Sequence, residues 1–314
     1  MRPEHGRDGQ FDFDAVDFVT SDHHFGHARI SELAGRPFST VDEMNTVLIE
    51  RWNALVKPDD VVLHLGDLAL GPIEQSVALT SQLNGTRLLV PGNHDRISPA
   101  TQSQRAIERF RPMYQDAGWT ILPEILNGCR RGNRLVASHY PYTGDTTGIE
   151  RHRSHRPTIT GIPLLHGHTH ERDFGPHGYH EFHVGVDAFD FAPIQFELID
   201  AWLEDLRREE EEIAAIVRER SKSGASSSLA ALARSFGVDL DEGAEARWKD
   251  LSGSADSEAR IWDELSSAAE RGELRPTGNI RRKAELDAIR ERIRRRDGEV
   301  TPEAFLRAVF GLDS

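Results

Sequence analysis

"RLLVPGNHD", residues 87–95, sets a short apolar run against residues that rarely build a core. Leu88, Leu89 and Val90 read as a buried strand, which Pro91 and Gly92 then stop. Asn93, His94 and Asp95 follow at once, so a strand end bears an amide, an imidazole and a carboxylate. The same punctuation recurs along the chain. "DFVTS" (17–21) runs into Asp22 and His24, and "DVVLHL" (60–65) into Gly66 and Asp67. "RLVAS" (134–138) runs into His139, and "IPLLH" (162–166) into His168 and His170. In layered α/β folds, sites assemble where strands end.

"WTIL" (119–122) and "FHVGV" (182–186) complete the strand candidates. Between the first two strands, "TVDEMNTVLIERWNALV" (40–56) puts Met44, Val47, Leu48, Trp52 and Leu55 on one helical stripe. Thr40 is the expected N-cap, with Glu43 completing a capping box. Strands alternating with helices at this spacing imply an α/β layered domain.

Composition narrows the function. A formal net charge of -14 disfavours general binding to polyanions, which clustered Lys and Arg hold. A single cysteine, Cys129, excludes an internal disulfide framework and fits a reducing compartment. The charged N-terminal stretch has no apolar h-region, and no window approaches a membrane span, so a cytoplasmic protein is expected. No histidine follows His183. That boundary suggests a catalytic domain over residues 1–200 and a charged helical extension over 201–314. The extension opens with an amphipathic helix (201–220), a linker follows near 221–228, and short helices are expected over 281–296 and 301–311.

The gathered donors are imidazole, carboxylate and one amide, with no thiolate. That set suits manganese, iron, zinc or nickel better than calcium or a structural zinc. Seven candidates exceed what one open catalytic ion needs and suit two neighbouring divalent ions. Residues two apart in extended backbone point the same way, so Asp22 with His24, and His168 with His170, can each reach one metal region.

The ordered blocks D-x-H, G-D, G-N-H-D, H and G-H-x-H resemble the calcineurin-like metallophosphoesterase superfamily over residues 17 to 196. The helix containing Glu43-Met44-Asn45 and Trp52-Asn53 is similar to its small bacterial and phage branch. The resemblance implies a four-layered α/β/β/α sandwich. It further implies that Asp22, His24 and His170 hold one metal, Asn93, His139 and His168 the other, and that Asp67 bridges. A metal-bridged hydroxide would attack phosphorus while His94 protonates the leaving oxygen and Asp95 orients His94. The Arg that marks phosphoprotein phosphatases after the G-D block is missing from "GDLALGPIEQ", which argues against that activity.

Other residues have competing readings. His27 either contacts substrate phosphate or caps the following helix. His23, His64 and His166 read as buried packing residues, Cys129 as an inert turn thiol and Arg96 as exposed. The basic segment 144–161 links two ligand-bearing strands, so Arg151, Arg153 and Arg156 are candidates for clamping substrate. The helix at 281–296 mixes Arg with Glu285, Asp287 and Glu291, as a solvated face does. A phosphoesterase acting on a small nucleotide-like ester fits best. A nuclease is the enzymatic alternative, and a non-catalytic metal-binding scaffold the non-enzymatic one. The C-terminal helices are candidates for partner binding or dimerisation.

Overall fold

The computed structural model describes residues 10–142, 151–172, 175–176 and 180–222. In chain order the elements are β1 (Phe11–Asp12), β2 (Phe18–Thr20), α1 (Ile30–Leu33), α2 (Val41–Leu55), β3 (Val61–His64), α3 (Ile73–Leu79), β4 (Thr86–Leu89) and α4 (Gln104–Asp116). There follow β5 (Trp119–Ile121), β6 (Ile125–Arg130), β7 (Asn133–Ser138), β8 (Leu164–His166), β9 (Gly175–Pro176), β10 (Glu181–His183), β11 (Ile194–Gln195) and α5 (Phe196–Lys222). The chain divides into two units: residues 1–158, 162–176 and 180–202 form the first, and 159–161, 177–179 and 203–314 the second. Both sheets and all the candidate ligands lie in the first.

One sheet has the order β11-β2-β3-β4-β5, the other β1-β6-β7-β8-β10-β9. From β2 to β5 every pairing is parallel, as are those of β8 with β7 and β10. Parallel strands send their carboxyl ends the same way, so the polar residues after β2, β3 and β4 emerge on one edge. Phe18, Val62 and Leu89 face the helices, packing in one cluster with Met44, Leu48 and Trp52 of α2, Val77 of α3, and Ile107 and Tyr114 of α4. Each such fully buried side chain contributes roughly 1.5–3 kcal/mol. Their strand neighbours Val19, Leu63 and Leu88 point to the opposite face and are buried too, as an interior between two sheets requires. On the far face of the second sheet, Phe13 and Phe182 meet Phe196 and Trp202 from the start of α5. The layers therefore run helix, sheet, sheet, helix.

The capping expectation for α2 holds with a shift of one residue. Thr40 Oγ1 accepts from Glu43 N at 3.1 Å, while Glu43 Oε2 reaches back to Ser39 N at 2.8 Å. Leu55, expected on the buried stripe, is exposed, and Asn45 is buried in its place. Strand β6 was not expected. Its inward residues, Leu126, Gly128 and Arg130, include only one large apolar side chain, so the alternation is invisible in "ILNGCR". Cys129 therefore lies within a strand, opposite Arg134 of β7, and is not a turn thiol. Arg130 is buried because Asp200 takes its Nε and Nη2 at 2.7 and 2.8 Å, and because it stacks 4.5 Å over the Phe196 ring.

The amphipathic helix begins at Phe196 rather than at residue 201. The expectations for 144–150 and for 223–314, including most of the linker and the helices beyond it, lie outside the described residues. Among the described residues, no helix is long and apolar enough to cross a membrane.

Candidate metal centre

The structure brings the separated blocks together at the carboxyl ends of β2, β3, β4, β7 and β8. His24 Nε2 lies 3.2 Å from His170 Nε2 and 3.5 Å from Asp67 Oδ2, and His170 Nε2 lies 3.9 Å from Asp22 Oδ1. These atoms form one lobe. His139 Nε2 lies 3.0 Å from Asn93 Oδ1, 3.2 Å from His168 Nδ1 and 3.6 Å from Asp67 Oδ2, which forms a second. Asp67 Oδ2 stands between them, because its other oxygen accepts from His94 N at 2.8 Å. Asp22 is within reach of both sets.

The shortest of these spacings, 3.0–3.2 Å, fit cations. Two ligands bound about 2.1 Å from one ion at ordinary coordination angles stand about 3.0–3.4 Å apart. Asp22 Oδ1 is completely buried without a hydrogen-bond partner, a costly state for a carboxylate oxygen unless a positive charge sits against it. Burial, the largest influence on Asp22, raises its pKa against the pull of His170 and His139. For Asp67, burial acts upward but is outweighed by His139, His94 and the His94 N–H, leaving it below the usual carboxylate range. Burial, then His170 beside it, holds His24 well below the ordinary imidazole value, so its lone pair is available.

The backbone is strained where the chemistry is. Asp22, His24, Asp67, His168 and His170 all adopt left-handed φ, between 52° and 73°. Few non-glycine residues do so, although Asp and His tolerate it better than most. Each such residue costs roughly 1–3 kcal/mol and persists only where the surroundings enforce it. The extended-strand account of the D-x-H and H-x-H pairs is therefore wrong. β2 ends at Thr20 and β8 at His166, and the pairs converge because both members turn left-handed beyond the strand. Hydrogen bonds between the loops hold them there: Asp22 N to Gly66 O, His24 N to Asp67 O, and Gly167 N to His139 O, at 3.0, 3.0 and 3.1 Å. A Cβ on Gly92 would sit 2.4 Å from both Asp67 N and Asp67 Oδ1, so only glycine lets the third loop approach the second.

Orienting partners fix the rings. His139 Nδ1 lies 2.8 Å from Leu65 O, which leaves Nε2 as the free lone pair. His170 Nδ1 lies 2.9 Å from Asp187 Oδ2, and that bond raises the His170 pKa although burial, the larger influence, opposes it. Asn45 Oδ1 accepts from Gly26 N at 3.0 Å, pinning the loop that bears His24 and His27. Asp187 and Arg36 were missed in the sequence. The signal available was an Asp just past the "FHVGV" strand, a carboxylate at a sixth strand end.

His94 stands at the rim, 43% exposed, with Nε2 3.9 Å from Asp67 Oδ2 and its ring 5.3 Å from that of His24. His27 is half-buried, its ring 5.4 Å from His24 and 6.4 Å from His94. It does not cap α1, whose N-cap is Arg29 with no side-chain hydrogen bond. His23, His64 and His166 are buried as expected.

Three expectations need correction. Asp95 is completely buried and accepts from Asp67 N, Gly92 N and Leu68 N at 2.9, 2.8 and 3.1 Å. It binds two ligand loops together, and its oxygens are turned to those N–H groups rather than to the His94 ring. Arg156 is buried, donates to Arg151 O and Pro141 O, and lies 5.8 Å from the Tyr140 ring, which packs on His139 and His168. Its burial and these carbonyl acceptors differ from the exposed position expected of a clamp; Arg151 and Arg153 are exposed. Arg96 is half-buried rather than exposed, its Nε enclosed and its backbone N donating to Tyr114 Oη.

The chain is similar to the Gene 66 protein of Mycobacterium phage L5, 30% identical over 191 residues that cover 58% of this chain and 92% of that protein. The Gene 66 protein of Mycobacterium phage D29 is 34% identical over 191 residues, covering 56% and 91%. The crystal structure of AQ665 from Aquifex aeolicus, a protein of unknown function, aligns at 22% identity with a TM-score of 0.43, covering 59% of this chain and 97% of that one. The calcineurin-like phosphoesterase family model matches residues 18–240, most of the chain and all the ligand loops. The chain belongs to the calcineurin-like phosphoesterase family.

Proposed function

We propose that this phosphoesterase uses two divalent cations to hydrolyse a phosphodiester or phosphomonoester of a small nucleotide-like substrate. The observation that supports it is the pair of ligand lobes meeting at Asp67 Oδ2, 3.5 Å from His24 Nε2 and 3.6 Å from His139 Nε2. Asp22, His24, His170 and Asp67 would hold one ion, and Asn93, His139, His168 and Asp67 the other. Manganese, iron, zinc and nickel all suit this donor set. When bound, such ions acidify water and neutralise the phosphoryl oxygens.

The chain's own residues supply the rest. The left-handed loops hold the donors rigid, so none must reorganise as charge develops. His94, at the rim and exposed, would give a proton to the leaving oxygen. His27, beside it, offers a second imidazole to the same phosphate. Arg151 and Arg153 present positive charge to the part of the substrate beyond the scissile bond.

The test is a screen of manganese-loaded protein against bis-p-nitrophenyl phosphate, p-nitrophenyl phosphate, cyclic nucleotides and short oligonucleotides. Asp67→Asn should abolish turnover, and His94→Ala should lower kcat by about 10²–10⁴-fold. Wild-type rates from both variants would refute the mechanism. Preference for oligonucleotides, with activity falling steeply as salt rises, would favour a nuclease instead.

A further inference from the structure

Arg36 occupies an unusual position. Its guanidinium is completely buried, and all five of its N–H groups have acceptors. Nε and Nη2 grip the two Asp187 oxygens at 2.8 and 2.9 Å. Nη2 also donates to Asp22 O at 2.6 Å, and Nη1 to His23 O at 2.8 Å and Met44 Sδ at 3.6 Å. Asp187 in turn takes His170 Nδ1 at 2.9 Å. One fork therefore ties the loop bearing Asp22 and His24 to the ring of His170, from a chain segment 151 residues away. Apart from Met44 in the core, the residues it reaches belong to, or border, the first lobe.

The second lobe is supported differently. His139 is oriented by the Leu65 carbonyl, a neutral acceptor. A carboxylate behind a ligating imidazole makes it a stronger donor than a carbonyl does. We propose that Arg36 and Asp187 are the positioning pair of the first lobe, setting cation affinity there and not in the second. This rests on the two-cation reading above. Asp187 fixes the His170 tautomer with Nε2 toward the cluster. Arg36 holds both oxygens of the buried Asp187 and, through the carbonyls of left-handed Asp22 and of His23, keeps that loop at the required separation from His170. Neither touches substrate.

The test counts cations by electron paramagnetic resonance of free Mn²⁺ during titration of chelator-stripped full-length protein, with Co²⁺ absorption as a second readout. Wild type should take up two equivalents. In Asp187→Asn, one equivalent should weaken about 10–100-fold while the other stays within threefold. The bands of the weakened Co²⁺ should change and those of the other persist. His168→Ala should weaken the opposite equivalent. The double variant Arg36→Met/Asp187→Leu removes the buried pair without stranding a charge, and it should reproduce the one-sided loss. If Asp187→Asn does not fold, the double variant decides. Unchanged affinity at both sites, or equal weakening of both, would overturn the proposal while leaving the two-cation reading intact. Fewer than two equivalents in wild type would sink the two-cation reading itself, and the proposal with it.

Discussion

Asp95→Asn separates two roles for one carboxylate. In the structure Asp95 Oδ2 accepts from Asp67 N and Gly92 N, and Oδ1 from Leu68 N. An amide can place its oxygen where Oδ2 stands and keep two of these bonds. Its NH₂ then faces the Leu68 N–H, so one donor is left unsatisfied in a fully buried site, at roughly 1–3 kcal/mol. Where Asp95 is ionised, loss of the charge weakens the two remaining bonds by a further ~1 kcal/mol in total. About 3 kcal/mol of stability should go. For a domain of this size that corresponds to a fall in Tm of roughly 6–12 °C in metal-free protein. Cation affinity should drop as well, because the Asp67 and Asn93 loops lose their common anchor. Thermal melts and Mn²⁺ titrations measure both. If Asp95 instead served to orient His94, Tm and cation affinity would stay at wild-type values while kcat alone fell and its pH profile shifted. That result would refute the anchoring role.

Two further expectations concern the loops and the core. Gly92→Ala puts a methyl 2.4 Å from Asp67 N and Oδ1 and 2.9 Å from His139 Cε1, so both lobes must shift. It should cost roughly 1–3 kcal/mol in stability and about 10²-fold in kcat, and a kcat within twofold of wild type would show that the contact is relieved elsewhere. His64 is buried neutral beside His23, its Nε2 3.0 Å from His23 Nδ1, and burial first of all lowers its pKa to about 3. The unfolded chain binds a proton near the ordinary value of about 6.5, so its stabilising contribution is complete above that pH. It is lost as pH falls toward 3, at about 1.4 kcal/mol per unit. Denaturant titrations from pH 7 to 4.5 should show wild type losing stability more steeply than His64→Gln by that amount; parallel curves would contradict it.

Local pattern determined a good deal of this protein. Apolar runs ending in glycine and polar residues located the ligand-bearing strand ends, and the stripe on α2 identified Met44, Leu48 and Trp52 as core. These signals are legible because burial and backbone turning are imposed within a few residues of where they are written. Strand β6 escaped because its inward positions include Gly128 and Arg130, whose burial depends on Phe11, Asp200 and Phe196 far along the chain. The partnership of Arg36 with Asp187 escaped for the same reason. Tertiary structure alone decided that Asp95 accepts from the backbone of two loops, and that Arg156 is buried beside Tyr140. It also decided that the paired ligands converge through left-handed turns. Periodicity records which side of an element is buried; it holds no information about which distant segment a side chain will meet, or what strain the assembled loops will enforce.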